Sequence, residues 1–409
     1  MKKIKNELKK IFNKGNINKK DEKFSYPLLD DAFSFEDIYA GIEVLMSKKI
    51  TMGDITKEFE VEFAKYLNVK HALMVNSGSS ANLLASFALT NPKKKNFLKR
   101  GDEFLIPALC WSTSLWPMVQ AGLKPKFIDI TTEDFNVNLD SLKKNISKKT
   151  KAIMAVHILG SSVDMEKLST ITKRNDLFLL EDSCESLGSK FKNKYLGTFG
   201  DFGTYSFYYS HQITSGEGGM IVCNDKEDYK IIHSLRSHGW DRGIQKKNSK
   251  NFNFINSGFN VRPMDITAAI GLNQLRRLNE FKRIRKDNKN KIITGLKQSP
   301  LWKNQFSFPV YSKHQDPSLF GFPLLINREF LSKKKKYIHF LEKNRIETRP
   351  ILSGNFMNQP CIKLFDLNKN NINFKNAQEV DDRGFFIGLH TKPIKKDNLN
   401  HLIINLLQI

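Results

Sequence analysis

Apolar and polar residues follow two rhythms along the chain. Phe59, Phe63 and Leu67 recur every four residues, the spacing of one helix face. The next stretch, HALMVNSGSSANLLASFAL, reads differently. LMV is the compact run of a buried strand, Asn76-Ser77-Gly78-Ser79-Ser80 is a tight turn, and ANLLASFAL is a helix. The unit repeats. EFLIPAL (103–109), PKFIDI (125–130), TKAIMAVHILG (150–160) and LFLLEDSCES (177–186) read as strands, most of them running into polar loops. MEKLSTITKR reads as a helix and GMIVCN (219–224) as one more strand. Strands alternating with helices predict an α/β fold, with a mostly parallel sheet covered on both faces. Ligands bind such sheets beyond the carboxyl ends of the strands, where these polar segments fall.

Residues 243–258 are polar and aperiodic, which predicts a long loop. Residues 264–296 predict a long helix leading into a second unit, and the remainder mixes strands and helices. The expected organisation is a basic N-terminal extension (1–22), a large domain (23–285) and a small α+β domain (286–409).

The chain has 409 residues, 40% of them hydrophobic, enough for a substantial core. Lys and Arg number 66 against 42 Asp and Glu, a net charge of +24. That charge admits an anionic partner such as nucleic acid, a membrane surface or a phosphorylated substrate. Lys and Asn are spread nearly throughout, however, and no zinc finger, RNA-binding signature or aromatic-interleaved basic helix supports nucleic acid. The four cysteines are far apart and show no CxxC spacing, which argues against a disulfide framework and a local metal site. A reducing, cytoplasmic compartment is expected. No apolar run approaches the roughly 18 to 20 residues of a membrane span. The basic N-terminus lacks the apolar core of a secretory signal. Ile4, Leu8, Ile11 and Phe12 share one helical face there, so a poorly ordered or docked extension is expected ahead of a surface anchor.

Three segments can carry chemistry. Gly78-Ser79-Ser80, opening a helix, would present N–H groups and hydroxyls to an anion, or serve only as a helix cap. Glu181-Asp182 ends an apolar strand, where a carboxylate needs a partner: a pyridinium nitrogen or a neighbouring Lys or Arg. The stretch from Ser206 through His211 to Gly219 is polar and glycine-rich.

The order and spacing of these segments resemble the sugar aminotransferase family named after the DegT, DnrJ, EryC and StrS proteins, from Tyr26 to the C-terminus. The resemblance implies a fold type I, pyridoxal 5'-phosphate (PLP)-dependent transferase architecture. It implies that Gly78, Ser79, Ser80 and Ser206 bind the cofactor phosphate and that Asp182 pairs with the pyridine nitrogen, with Glu185 as a further ring contact. GEGG stands at 216–219 as in the family, but the Schiff-base lysine is replaced by His211. Imidazole cannot form that imine, so plain amino transfer is not expected.

Segments such as IPALCWSTSLWPMVQAGLKPKFIDI, FNVRPMDITAAIG and ETRPILSGNF resemble the branch that removes the C3 hydroxyl of nucleotide-linked 4-keto-6-deoxy sugars. The resemblance implies PLP and pyridoxamine 5'-phosphate as cofactor forms and L-glutamate as amino donor. It implies that Trp111 stacks on the cofactor ring and that Asn260 reaches the phosphate of a second copy in a homodimer. His211 becomes the base, with an imidazole pKa near 6.5 suited to that work. Arg349, Arg236 and His238 are candidate substrate contacts. Residues 236–260 contain no cysteine, so the branch's iron–sulfur subtype is not expected. A GDP-linked 4-keto-6-deoxymannose, en route to a dideoxysugar of an O-antigen, fits best. A CDP- or dTDP-sugar, an aminotransferase, or a non-catalytic regulator remain as alternatives.

Overall fold

The structure, a computed structural model, describes residues 2–14, 23–29, 32–241, 252–368 and 372–409. Its main sheet has seven strands: β1 (His71–Val75), β2 (Glu103–Pro107), β3 (Lys124–Ile128), β4 (Thr150–Val156), β5 (Phe178–Asp182), β6 (Phe202–Ser206) and β7 (Gly219–Cys223). Their order is β1-β7-β6-β5-β4-β2-β3. β2 through β6 pair in parallel, whereas β7 runs antiparallel to both β6 and β1.

The helices are α1 (Lys2–Asn13), α2 (Phe35–Ser47), α3 (Asp54–Leu67), α4 (Gly78–Leu89), α5 (Ser112–Gln120), α6 (Leu139–Asn145), α7 (Met165–Arg174), α8 (Lys226–Arg236), α9 (Asp265–Leu275) and α10 (Leu278–Gln298). Both sheet faces are covered, so the strands read as continuous apolar runs. Ala152 and Met154 of β4 share a core with Leu84, Leu115 and Ile232, while Ile153 and Ala155 share one with Leu142 and Leu168. On the latter face, α3 and α9 cover the β1 end through Phe59, Phe63 and Leu272. Burying one such phenylalanine stabilises by about 1.5–3 kcal/mol. A Cβ at Gly271 would stand 2.7 Å from the Phe59 ring, so α9 approaches α3 this closely because that position is glycine.

A second sheet is antiparallel. It comprises β8 (Phe306–Ser307), β9 (Gly321–Ile326), β10 (Thr348–Arg349) and β11 (Gly384–Gly388) in the order β8-β9-β11-β10. Ile292 and Leu296 of α10 pack in its core, so α10 joins the two sheets.

Several expectations change. The strand at 202–206 was not foreseen, because Gly203, Thr204 and Ser206 dilute its apolar signal although every residue in it is buried. The predicted helix over 264–296 is two helices, broken at Arg276-Arg277. The turn predicted to run through Ser80 ends earlier: Ser77 caps α4, which begins at Gly78. Tyr26, expected in the large domain, is buried in the core of the second sheet, and its hydroxyl donates to the Gly388 carbonyl at 3.1 Å. The boundary expected after residue 285 falls inside α10. Most of the predicted loop at 243–258 lies outside the described residues. The N-terminal extension includes a helix that docks on α2. Phe12 meets Phe35 edge-on and Lys9 lies 3.5 Å from Glu36, while Ile4 and Ile11 stay exposed.

Candidate active site

The carboxyl ends of β1, β5 and β6 converge with the N-termini of α4 and α5. At the centre is Asp182, the last residue of β5 and almost fully buried. Its Oδ2 accepts from Asn82 Nδ2 at 2.8 Å and Ser114 Oγ at 2.7 Å, and its Oδ1 accepts from the Cys184 N–H at 3.2 Å. All three partners donate, so no Lys or Arg is needed to hold it, and Oδ1 keeps room for a further donor. Asn82 is itself fixed by the Thr204 hydroxyl at 2.6 Å. The neighbouring Glu181 faces away from the site. It accepts from the N–H groups of Gly197, Phe199 and Gly200 and lies 3.0 Å from His157 Nε2.

Gly78 lies against β6. A Cβ there would stand 2.6 Å from Ser206 Cβ and 2.9 Å from Cys184 Sγ, so only glycine lets α4 begin at this spot. Ser77 satisfies the Ser80 N–H, which leaves those of Gly78 and Ser79 in the first turn for an anion. The Ser79 hydroxyl donates to Thr113 Oγ1 at 3.2 Å, linking this turn to α5. Trp111 caps α5 and is 52% exposed, an open aromatic face at the rim. Ser353 closes the same rim by donating to the Cys110 carbonyl at 2.6 Å.

His211 follows β6 on a turn in which its N–H donates to the Tyr208 carbonyl at 3.0 Å. The imidazole packs 4.9 Å from the Phe320 ring, and its enclosed Nδ1 has no hydrogen-bond partner. Burial pushes its pKa down to about 4. A hydrogen bond with the Cys184 main chain and the Asp182 carboxylate oppose the shift, and the Arg285 cation adds to it. The ordinary value near 6.5 expected above is therefore corrected downward: burial disfavours the protonated imidazole, which leaves it a weaker base than a free histidine. Glu185 moves the other way. Burial raises its carboxyl to about 8, against the Leu159 N–H that donates to it at 3.0 Å, and the Asp182 carboxylate raises it further.

The Glu185 shift has a consequence for stability. The folded chain holds a proton on Glu185 that the unfolded chain releases near 4.5. Its contribution is fully present below that value and is lost as pH rises through about 8. Glu185→Gln is expected to raise the melting temperature of the cofactor-free protein more at pH 8 than at pH 5. Thermal melts at both values check this, and an equal change at both removes the buried proton.

Gly78, Ser79, Ser80, Asp182, Glu185, Ser206 and His211 thus gather in one place, with Trp111 at its edge. The remaining candidates behave differently. Asn260 is exposed; its neighbour Val261 accepts the Asn76 N–H at 3.1 Å, beside the α4 turn. His238 is exposed with a positive φ of 62°. Arg349 is exposed and paired with Glu347 at 2.8 Å. Arg236 is corrected: its buried guanidinium donates to Glu60 at 2.6 Å and to the Met74 carbonyl at 2.9 Å, which ties α8 to α3 and β1. Lys190 and Lys194 lie over Tyr195 and Phe199, and Lys192 pairs with Glu166, so none of the three reaches the lysine's place.

Asn82 and Ser114 were missed by sequence reasoning. A polar residue inside the apolar run ANLLASFAL was the available signal for Asn82. Gln212 and Arg285, which hold the His211 turn, were missed too.

A cofactor of the predicted kind fits these residues. The unpartnered Nδ1 of His211, the open Oδ1 of Asp182 and the side-chain-free start of α4 supply a base, a ring-nitrogen partner and a phosphate seat. Among the described residues no group of three or more His, Cys, Asp and Glu side chains could hold a metal ion, and no helix is long and apolar enough to cross a membrane.

The profile of the DegT/DnrJ/EryC1/StrS aminotransferase family matches residues 34–406. A GDP-4-keto-6-deoxy-D-mannose 3-dehydratase of Escherichia coli O55:H7 is 39% identical over 378 residues, 90% of this chain and 95% of that protein. A crystal structure of a GDP-4-keto-6-deoxymannose-3-dehydratase mutant with bound GDP-perosamine superposes with a TM-score of 0.86 at 37% identity, covering 93% of this chain and 100% of that one. A further structure of such a dehydratase, with a trapped PLP-glutamate geminal diamine, gives a TM-score of 0.84 at 36% identity, covering 93% and 100%.

Proposed function

The chain belongs to the DegT/DnrJ/EryC1/StrS aminotransferase family, and from that premise we infer that it is a PLP- and pyridoxamine phosphate-dependent 3-dehydratase of GDP-4-keto-6-deoxymannose. The observation that carries this reading is a histidine, His211, where an amine would be needed for ordinary amino transfer. When bound, the cofactor supplies an amino group for the sugar C4 ketone and an electron sink for loss of the C3 hydroxyl.

The chain's own residues do the rest. The first turn of α4 and Ser206 seat the phosphate. Asp182 would pair with the ring nitrogen of the bound cofactor and keep the ring electron-poor. Trp111 would stack on the cofactor ring, with Glu185 as a further ring contact. His211 takes up a proton at Nδ1, the ring nitrogen that the protein leaves without a partner. With an imidazole in its place, position 211 offers no amine to capture the cofactor covalently. Arg349 and His238 are assigned to the nucleotide-sugar. L-Glutamate is assigned as amino donor. Two copies form the working unit, with Asn260 of one reaching the phosphate held by the other. The exposed Ile38, Leu45 and Met46 on α2 support such pairing. The division into an extension (1–22), a cofactor-binding domain (23–285) and a small domain (286–409) is kept as a proposal, with Tyr26 seated on the small sheet.

The test is incubation with pyridoxal phosphate, L-glutamate and GDP-4-keto-6-deoxymannose, followed by mass spectrometry. A 3-deoxy sugar, ammonia and 2-oxoglutarate are expected. An amino sugar in their place overturns the reading.

A further inference from the structure

One buried cation is not used by the chemistry above. Arg285 lies on α10 with 1% of its surface exposed, among the apolar residues Phe281, Ile284 and Ile292. Burying a guanidinium is costly unless its donors are satisfied. Here they meet main-chain carbonyls from two different parts of the chain. Nη2 donates to the His211 carbonyl at 3.3 Å, Nη1 to the Gln212 carbonyl at 3.0 Å, and Nε to the Leu389 carbonyl at 3.0 Å, just past β11. Gln212 continues the same linkage. It is buried, and its Nε2 donates to the Glu185 carbonyl and to the Ser318 carbonyl at 3.1 Å.

We propose that Arg285 is a positioning residue for His211: its planar fork fixes the turn that presents the imidazole and anchors that turn to the second sheet. The assignment rests on reading His211 as the base. The fork suits the task because three donors in one plane hold three carbonyls in fixed relation, which an ammonium cannot do.

Charge is a separable part of the same role. The imidazole is faced by Asp182 at the end of β5, by Cys184 in the turn that follows, by Tyr208 on its own loop, by Phe320 leading into β9, and by Arg285 from α10. Arg285 is the cation in this set and disfavours a protonated imidazole.

Two variants separate position from charge. Arg285→Lys keeps the cation and loses the fork. It is expected to lower kcat about tenfold or more with KM for the GDP-sugar nearly unchanged, because small displacements of a catalytic group are costly. Arg285→Gln removes the cation and is expected to raise the His211 titration midpoint. That midpoint is followed by histidine NMR on the cofactor-free full-length protein, with the signal assigned through His211→Asn. Asn288→Ala controls for simple loosening. It loses bonds to the His390 and Lys392 carbonyls at 3.2 and 2.8 Å on the stretch that Arg285 also holds, and should lower the melting temperature while leaving kcat alone. If the glutamine variant does not fold, the lysine variant decides. A folded Arg285→Lys protein with parental kcat overturns the proposal, as does a folded Arg285→Gln protein whose His211 titrates as in the parent. Failure of the parent to dehydrate the sugar strikes the functional reading instead, and the NMR titration still decides Arg285.

Discussion

Exchange of His211 for lysine is expected to cut formation of the 3-deoxy sugar by about 10²–10³-fold, the scale of losing a well-placed general base, and to bring in an amino-sugar product. Neutral imidazole can accept a proton but cannot form a stable covalent link to an aldehyde, whereas a lysine amine can do both. The lysine would enter a pocket closed by Phe320 and bordered by Arg285. Burial and a nearby cation favour its uncharged, nucleophilic form, against the opposing pull of the Asp182 carboxylate. The variant should therefore attach the cofactor covalently, visible as added mass on the intact chain after borohydride reduction. Product analysis by mass spectrometry gives the second readout. Dehydration at the parental rate would remove His211 from the role assigned to it.

Asp182→Asn is expected to lower turnover at least about 10²-fold at saturating cofactor, comparable to deleting a preorganised electrostatic partner elsewhere. The carboxyl group receives three hydrogen bonds and gives none. An amide cannot match that pattern. If its oxygen stays with Asn82 and Ser114, its NH₂ points at the Cys184 N–H and at the ring nitrogen it was meant to receive. If it flips, the NH₂ meets two donors instead. Retention of cofactor through dialysis should fall together with turnover. Turnover within about threefold of the parent, a loss of well under 1.4 kcal/mol, would show that the ring nitrogen is not served from this position.

Much of this site could be read from the sequence because its parts sit at strand ends, where polar residues interrupt apolar runs. Asp182 follows FLLE, and the α4 turn follows LMV, so each announces itself by contrast. The strand before Ser206 does not, since glycine and threonine weaken its pattern and only burial on both faces makes it a strand. The antiparallel direction of β7 has no local signature at all. Arg236 and Arg285 show the limit most clearly. Both are arginines on helices near chemically active segments, and nothing local separates the one that clamps α8 to α3 from the one that holds the His211 turn. Burial also pushes the His211 imidazole below its ordinary value, and the Arg285 cation, from a distant part of the chain, adds to the shift.

The late position of β7 in the chain also bears on how the protein folds as it is made. β1 pairs with β7 in the main sheet, with His71 opposite Cys223 and Val75 opposite Gly219. A ribosome has therefore synthesised β2 through β6 before the strand that receives β1 exists. During that time β1 and the turn at 76–80 wait without their seat, since Gly78 closes against Ser206 and Gly219 against Ser77. Such distant pairing slows folding and prolongs exposure of apolar strand surface. The turn at 76–80 is thus translated before the strands that close against it.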